Sequence, residues 1–163
     1  RRPDNQNLFS IATILRQKNY QPYFIYGGDG YFDNMNNFFG GQGFDIVDRN
    51  RGNPLSEDIK THRYNISDNE VSFENAWGIC DEDIYRQAIK YADISSKNKK
   101  PFFLANISNS SKLSVLKLNF KAKEQERYGS SLAIFYFPST LITFSGILFI
   151  VGNELSTDKW NCW

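Results

Sequence analysis

Three short apolar runs, Tyr23-Phe24-Ile25-Tyr26, Phe44-Asp45-Ile46-Val47 and Phe102-Phe103-Leu104-Ala105-Asn106-Ile107, are separated by segments of helical periodicity. This alternation constrains the fold most, because strand and helix in turn form a parallel sheet whose faces helices cover. Before the first run, Leu8, Ile11, Ala12 and Leu15 fall at i, i+3, i+4 and i+7, which predicts a helix with Asp4 as its cap. Residues 31–39 predict a second, short helix, broken by Gly40-Gly41-Gln42-Gly43. Asp81 or Asp83 is expected to open a third, with Ile84, Ala88, Ile89 and Ala92 on one face and Asn98-Lys99-Lys100 closing it before Pro101. Residues 48–75 are polar and carry Gly52, Pro54 and several Asn and Asp residues. They read as a surface excursion within one domain.

Composition removes some classes of function. The 163 residues are 40% hydrophobic and 23% charged with a formal net charge of +1, so a core is expected and a nucleic-acid partner is not. Cys80 and Cys162 match no metal-ligand spacing, and His62 is the sole histidine, read as a solvated loop residue. Residues 109–127 are rich in Ser and Lys, with an amphipathic strand expected through Leu116, Leu118 and Phe120. Residues 129–153 hold no charged side chain, a length sufficient to span a membrane. Pro138 and the small polar cluster Ser139, Thr140, Thr143, Ser145 and Gly146 favour one or two buried strands instead.

The most informative stretch is Tyr26-Gly27-Gly28-Asp29-Gly30-Tyr31-Phe32-Asp33-Asn34-Met35-Asn36-Asn37-Phe38-Phe39. It follows a strand, at the carboxyl edge where open α/β sheets place ligand sites. Its glycines permit close approach to the backbone, and Asp29, Asp33 and Asn34 offer polar contacts. The other reading is a glycine turn leading into a capped helix, with Phe32, Phe38 and Phe39 filling core. The residues alone favour that second reading, since Gly-Gly-Asp-Gly lacks the lysine of a phosphate-binding loop.

This stretch, together with Arg2-Pro3-Asp4-Asn5, Asn7-Leu8-Phe9-Ser10, Gly43-Phe44 and Ala76-Trp77-Gly78 followed by Asp81-Glu82-Asp83, resembles the lipoteichoic-acid-synthase-type proteins of sulfatase fold. These belong to the alkaline phosphatase superfamily, and near relatives include the phosphoglycerol transferases that decorate periplasmic glucans. The resemblance runs from Arg1 to about Phe103. It implies an α/β domain over residues 1–107, a partial sulfatase-like parallel sheet flanked by helices. It further implies two-step transfer of glycerophosphate, at a divalent metal that is usually manganese, from a lipid donor to a polymer or glycan hydroxyl. A threonine acts as nucleophile, the metal lowering its pKa and neutralising phosphoryl charge. The setting is the bacterial cell membrane, with the catalytic domain extracytoplasmic or periplasmic. By the same resemblance Asp29, Phe32, Asp33 and Asn34 are substrate-binding.

The chain departs from that pattern in ways that shape the expectation. The family's nucleophile segment and an upstream acidic metal ligand fall before Arg1, and the Asp-His metal pair has no counterpart beyond His62. The segment Asn106-Ile107-Ser108-Asn109-Ser110-Ser111 lacks the family's histidine and proline, and the Trp and Arg that lipoteichoic acid synthases carry near the Gly-Gly-Asp-Gly motif are absent. The expectation is therefore a fragment inactive alone, without catalytic or metal-ligating residues of its own. Residues 108–163 are expected to be a divergent tail, frameshifted or non-native. A sulfuric or phosphoric ester hydrolase of the same superfamily and a non-catalytic binding remnant are the alternatives.

Overall fold

The computed structural model describes residues 8–108, together with the backbone of two further strands at Leu132–Pro138 and Gly146–Gly152. Helix α1 (Ile11–Gln17) leads into strand β1 (Gln21–Tyr26), and a 3-10 turn (Phe32–Asn34) with helix α2 (Met35–Gly41) leads into β2 (Asp45–Asp48). A long connection carries β3 (Arg63–Asn65), a second 3-10 turn (Asp68–Glu70) and the small antiparallel pair β4 (Glu74–Asn75) and β5 (Gly78–Ile79). Helix α3 (Asp81–Lys97) then precedes β6 (Phe102–Ser108), with β7 (Leu132–Pro138) and β8 (Gly146–Gly152) last.

The main sheet has the order β3-β2-β1-β6-β8-β7. Its first four strands are parallel, as the alternating pattern predicts, and the fold is α/β. The hairpin β7–β8 adds to β6 in antiparallel sense. Two strands therefore occupy the uncharged stretch 129–153, and among the described residues no helix is long and apolar enough to cross a membrane. The segment containing Leu116, Leu118 and Phe120 lies outside the described residues, as does Asp4.

Strands β1 and β6 read as unbroken apolar runs because both their faces are covered. The period-2 geometry of a strand sends Tyr23, Ile25, Phe102 and Leu104 to one side, where Ile84, Ala88, Tyr91 and Ala92 of α3 meet them. Phe24, Tyr26, Phe103 and Ala105 face the other side and join Ala12, Phe44 and Ile46, with Phe39 stacked on Phe24 at a 3.8 Å centroid separation. From β1 the chain steps outward to β2 and β3, then returns through α3 to place β6 on the opposite flank of β1. The sheet order thus reverses between β1 and β6, and such a switch point leaves a crevice outside the carboxyl ends of the strands.

Several local expectations change on contact with tertiary structure. Ser10 caps α1 through a hydrogen bond from the Thr13 amide, so Leu8 precedes the helix. Ala12 and Leu15 face the sheet while Ile11 and Ile14 stay exposed. Helix α2 ends within Gly40-Gly41-Gln42-Gly43 as expected, its last residue being Gly41 and its cap Gln42. Helix α3 begins after Cys80, and the Asp83 carboxylate accepts from the Ser72 amide and hydroxyl, tying the preceding loop to the helix start. The largest difference concerns residues 48–75, which supply a parallel strand, the fully buried Ile66 and the nearly buried Arg49.

That connection is fastened to α3 by Glu70, which caps its own 3-10 turn through Ser67 and accepts from Lys90 at 2.6 Å. The Lys90 hydrogen bond, opposed by partial burial and helped by Ser67, brings the Glu70 pKa down from 4.5 to about 2. A depressed acid contributes stability above its unfolded pKa and loses it as pH falls through the folded one. Glu70→Gln is therefore expected to lower stability at neutral pH by under about 1 kcal/mol, since Lys90 is partly solvated. It should also flatten the loss of stability between pH 4.5 and about 2, as read by urea melts across that range. Two positions from the apolar patterns should differ sharply in the same assay. Leu104→Ala removes a fully buried side chain and is expected to lose about 2–5 kcal/mol. Ile11→Gln alters an exposed one and should change stability by no more than about 0.5 kcal/mol.

Candidate functional site

Strand β1 ends at Tyr26, and the chain turns through Gly27-Gly28-Asp29-Gly30. Backbone holds this turn from two sides: the Ile79 amide donates to Gly27 O at 2.9 Å and the Arg49 amide to Gly28 O at 3.0 Å. Gly78 makes the first contact possible. Its φ is +129°, and a Cβ there would lie 2.5 Å from the carbonyl carbon and oxygen of Gly27, too close for any side chain. Gly30 is confined in the same way by Asp48, whose Oδ2 accepts from the Gly30 amide at 2.7 Å.

Beneath the turn, the Arg63 guanidinium bridges two carboxylates. Its Nε and Nη2 donate to Asp48 Oδ1 and Oδ2 at 2.8 and 2.6 Å, and Nη2 also reaches Asp29 Oδ1 at 2.7 Å. Nη1 donates to the Asn53 carbonyl. Asp29 further accepts from the Tyr31 amide at 2.9 Å and from Asn53 Nδ2 at 2.8 Å. Burial raises the Asp29 pKa, but the Tyr31 amide, Asn53 and Arg63 together outweigh it and hold the carboxyl below its ordinary value. For Asp48, which is fully buried, burial wins and the pKa is raised against the pull of Arg63 and the Gly30 amide.

A second ionic cluster lies beside the first. Arg49 donates to the Ile66 carbonyl, to Asp68 at 2.5 Å and to Glu74 at 3.0 and 3.3 Å, and Arg51 also bonds Glu74. Burial pushes the Glu74 pKa up, and the two arginines bring it below its usual range. Between the clusters opens a cleft of about 560 Å³, with Asp29 and Gly28 in its lining and Arg51 and Glu74 to one side. Tyr26, Tyr31, Phe32 and Trp77 supply its aromatic surface.

The four sequence-derived site residues separate here. Asp29 and Phe32 line the cleft; Asp33 and Asn34 do not. Asp33 and Asn34 sit one after the other in left-handed conformation, at φ 53° and 61°, which short polar side chains tolerate best. They set the kink between the 3-10 turn and α2, and Asn34 Oδ1 accepts from Asn37 Nδ2 at 3.1 Å. Phe32 stands exposed at the cleft and Phe38 is exposed as well, whereas Phe39 packs with Tyr26 in the core. Sequence reasoning missed Arg49, Arg51, Arg63, Glu74 and Trp77 as site residues. The available signal was three arginines within a stretch otherwise rich in Asn, Asp, Ser and Glu, since arginine is the cation suited to bridging buried carboxylates.

Manganese finds no ligand set in this region. Among the described residues no group of three His, Cys, Asp or Glu side chains could hold a metal ion. Asp29 and Asp48, the closest approach to a carboxylate pair, already share the Arg63 guanidinium, which stands where a cation would.

Removing Arg63 would strand Asp48 as a buried, unpaired carboxylate. Arg63→Ala is expected to destabilise the chain by about 3–5 kcal/mol in urea melts at neutral pH. Arg63→Lys should recover only part of the loss, because an ammonium cannot span both carboxylates in one plane.

An open α/β sheet with a glycine turn and a cleft beyond the carboxyl end of a strand is shared by many enzymes, and the fold alone does not separate them. The sequence matches the Sulfatase family model over residues 2–128. With most of its length inside that match and the parallel sheet that the family requires, this chain belongs to the sulfatase family.

Proposed function

We propose that, within a family of ester hydrolases and transferases, this chain is part of a lipoteichoic-acid-synthase-type phosphoglycerol transferase. In this reading it holds substrate for the movement of glycerophosphate from a lipid donor to a polymer or glycan hydroxyl. The supporting observation is that Tyr26 to Met35, the run most specific to that branch, contributes Tyr26, Gly28, Asp29, Tyr31 and Phe32 to the lining of the cleft beyond the carboxyl end of β1. In this reading a lipid donor would put the reaction at the bacterial cell membrane, and the resemblance to that branch implies its extracytoplasmic face.

The described residues are suited to binding and orientation. Asp29 is fixed by three donors, so a hydroxyl hydrogen-bonded to it would be held without reorganisation. The aromatic faces at the cleft offer a sugar or glycerol acceptor contacts that water cannot make, which favours such an acceptor over water. In this reading the threonine nucleophile and the manganese ligands come from outside the described residues, and the described part alone turns nothing over.

The test is transfer of labelled glycerophosphate from phosphatidylglycerol to an oligosaccharide by the longest natural translation product containing this chain, with manganese supplied. Asp29→Asn in that protein is expected to lower kcat/KM by about tenfold or more through lost positioning. Release of sulfate or free glycerophosphate to water would show a hydrolase of the same superfamily. Ligand binding without turnover would show a binding remnant.

A further inference from the structure

The ions around the cleft are already matched with one another. Arg49 and Arg51 share Glu74, and Asp68 completes the Arg49 pairing. On the other side one guanidinium, Arg63, serves both Asp29 and Asp48. Three arginines thus face four carboxylates, and the pairings leave the region slightly negative. An entering phosphate or sulfate would have to take Arg51 from Glu74 and would meet net repulsion from the rest.

Two aromatic side chains, by contrast, are left open: Trp77 is 67% exposed and Phe32 59%. The backbone that carries Trp77 is anchored: its amide donates to Asn75 Oδ1 at 2.8 Å, and the next residue, Gly78, lies backbone against backbone on Gly27 and Gly28. Exposed aromatic faces beside carboxylates and a carboxamide complement a ligand that is apolar on its faces and hydroxylated around its edge. A pyranose ring has that form, and it carries no charge to oppose the carboxylates.

We infer that this cleft is the subsite for a neutral pyranose unit of the acceptor glycan, with Trp77 and Phe32 as its stacking faces, and that the anionic glycerophosphate is held elsewhere. The inference rests on the transferase reading for the existence of an acceptor, and its test requires no turnover. The full chain is titrated, by tryptophan fluorescence and equilibrium dialysis, with neutral glucan, galactan, mannan and chitin oligosaccharides. Glycerol 1-phosphate and inorganic sulfate serve as anionic probes.

The expected result is saturable binding of at least one neutral oligosaccharide, insensitive to salt and to Arg51→Gln. Trp77→Ala should weaken it by about tenfold or more, and Trp77→Phe should restore part of it. Phe32→Ala provides a second exposed-site variant should Trp77→Ala alter the far-ultraviolet circular dichroism. Binding of glycerol 1-phosphate or sulfate in an Arg51-dependent manner, competing with sugar, would overturn the inference. Failure of a folded chain to bind any of the neutral oligosaccharides would do the same. Sugar binding in a protein that transfers nothing would remove the transferase reading alone, whereas transfer without Trp77-dependent sugar binding would remove this inference alone.

Discussion

A single guanidinium, that of Arg63, joins three separate parts of this chain: the end of β2 through Asp48, the turn after β1 through Asp29, and the long connection through the Asn53 carbonyl. Asp48 in turn holds the Gly30 amide, so the glycine turn, the second strand and the third strand are fixed by one planar ion. Burying such a group is expensive unless its donors are satisfied, and here four directed contacts satisfy them. The cleft geometry follows. The turn cannot rise without pulling Asp48 from its partner, and Asp29 cannot rotate toward solvent without losing Arg63, Asn53 and the Tyr31 amide together.

Those parts of the fold that sequence made legible share a physical cause. Strands β1, β2 and β6 are buried on both faces, so their apolar runs stand out against polar surroundings. Helix α3 was legible through Ile84, Ala88 and Ala92, which repeat on one face. Residues 48–75 were not, because apart from Ile66 the side chains they bury fully are ionic. Arg49 and Asp48 look like surface residues in a sequence, and only the fold shows each supplied with partners. Helix α1 misled for a different reason. Its apolar residues run wider than the face it buries, so periodicity placed Ile11 inward when Ala12 and Leu15 are the residues that meet the sheet.

The candidate site was legible in part, and unevenly. Glycines at a strand end mark a turn that must approach something closely, and Gly28 and Asp29 do line the cleft. The polar residues that follow suggested contacts of equal rank, yet Asp33 and Asn34 serve backbone direction, their left-handed conformations steering the chain into α2. What sequence could not show was the opposite wall. Glu74 and Trp77 are more than forty residues from the turn along the chain and reach it only through the β4–β5 pair. The family match places the chain in the sulfatase family, while the proposal of phosphoglycerol transfer rests on the branch-specific motif.

The contact between Gly78 and Gly27 has one more consequence. Where two backbones touch with no side chain between them, the mount is independent of what it carries. Position 77 projects outward from that mount, and its side chain bears little of the packing around it. Selection can therefore exchange the residue at 77, and with it the preferred partner, without re-optimising the scaffold. The invariant element would be a pair of glycines and the evolvable one their exposed neighbour, so that the recognition surface can diversify faster than the fold that presents it.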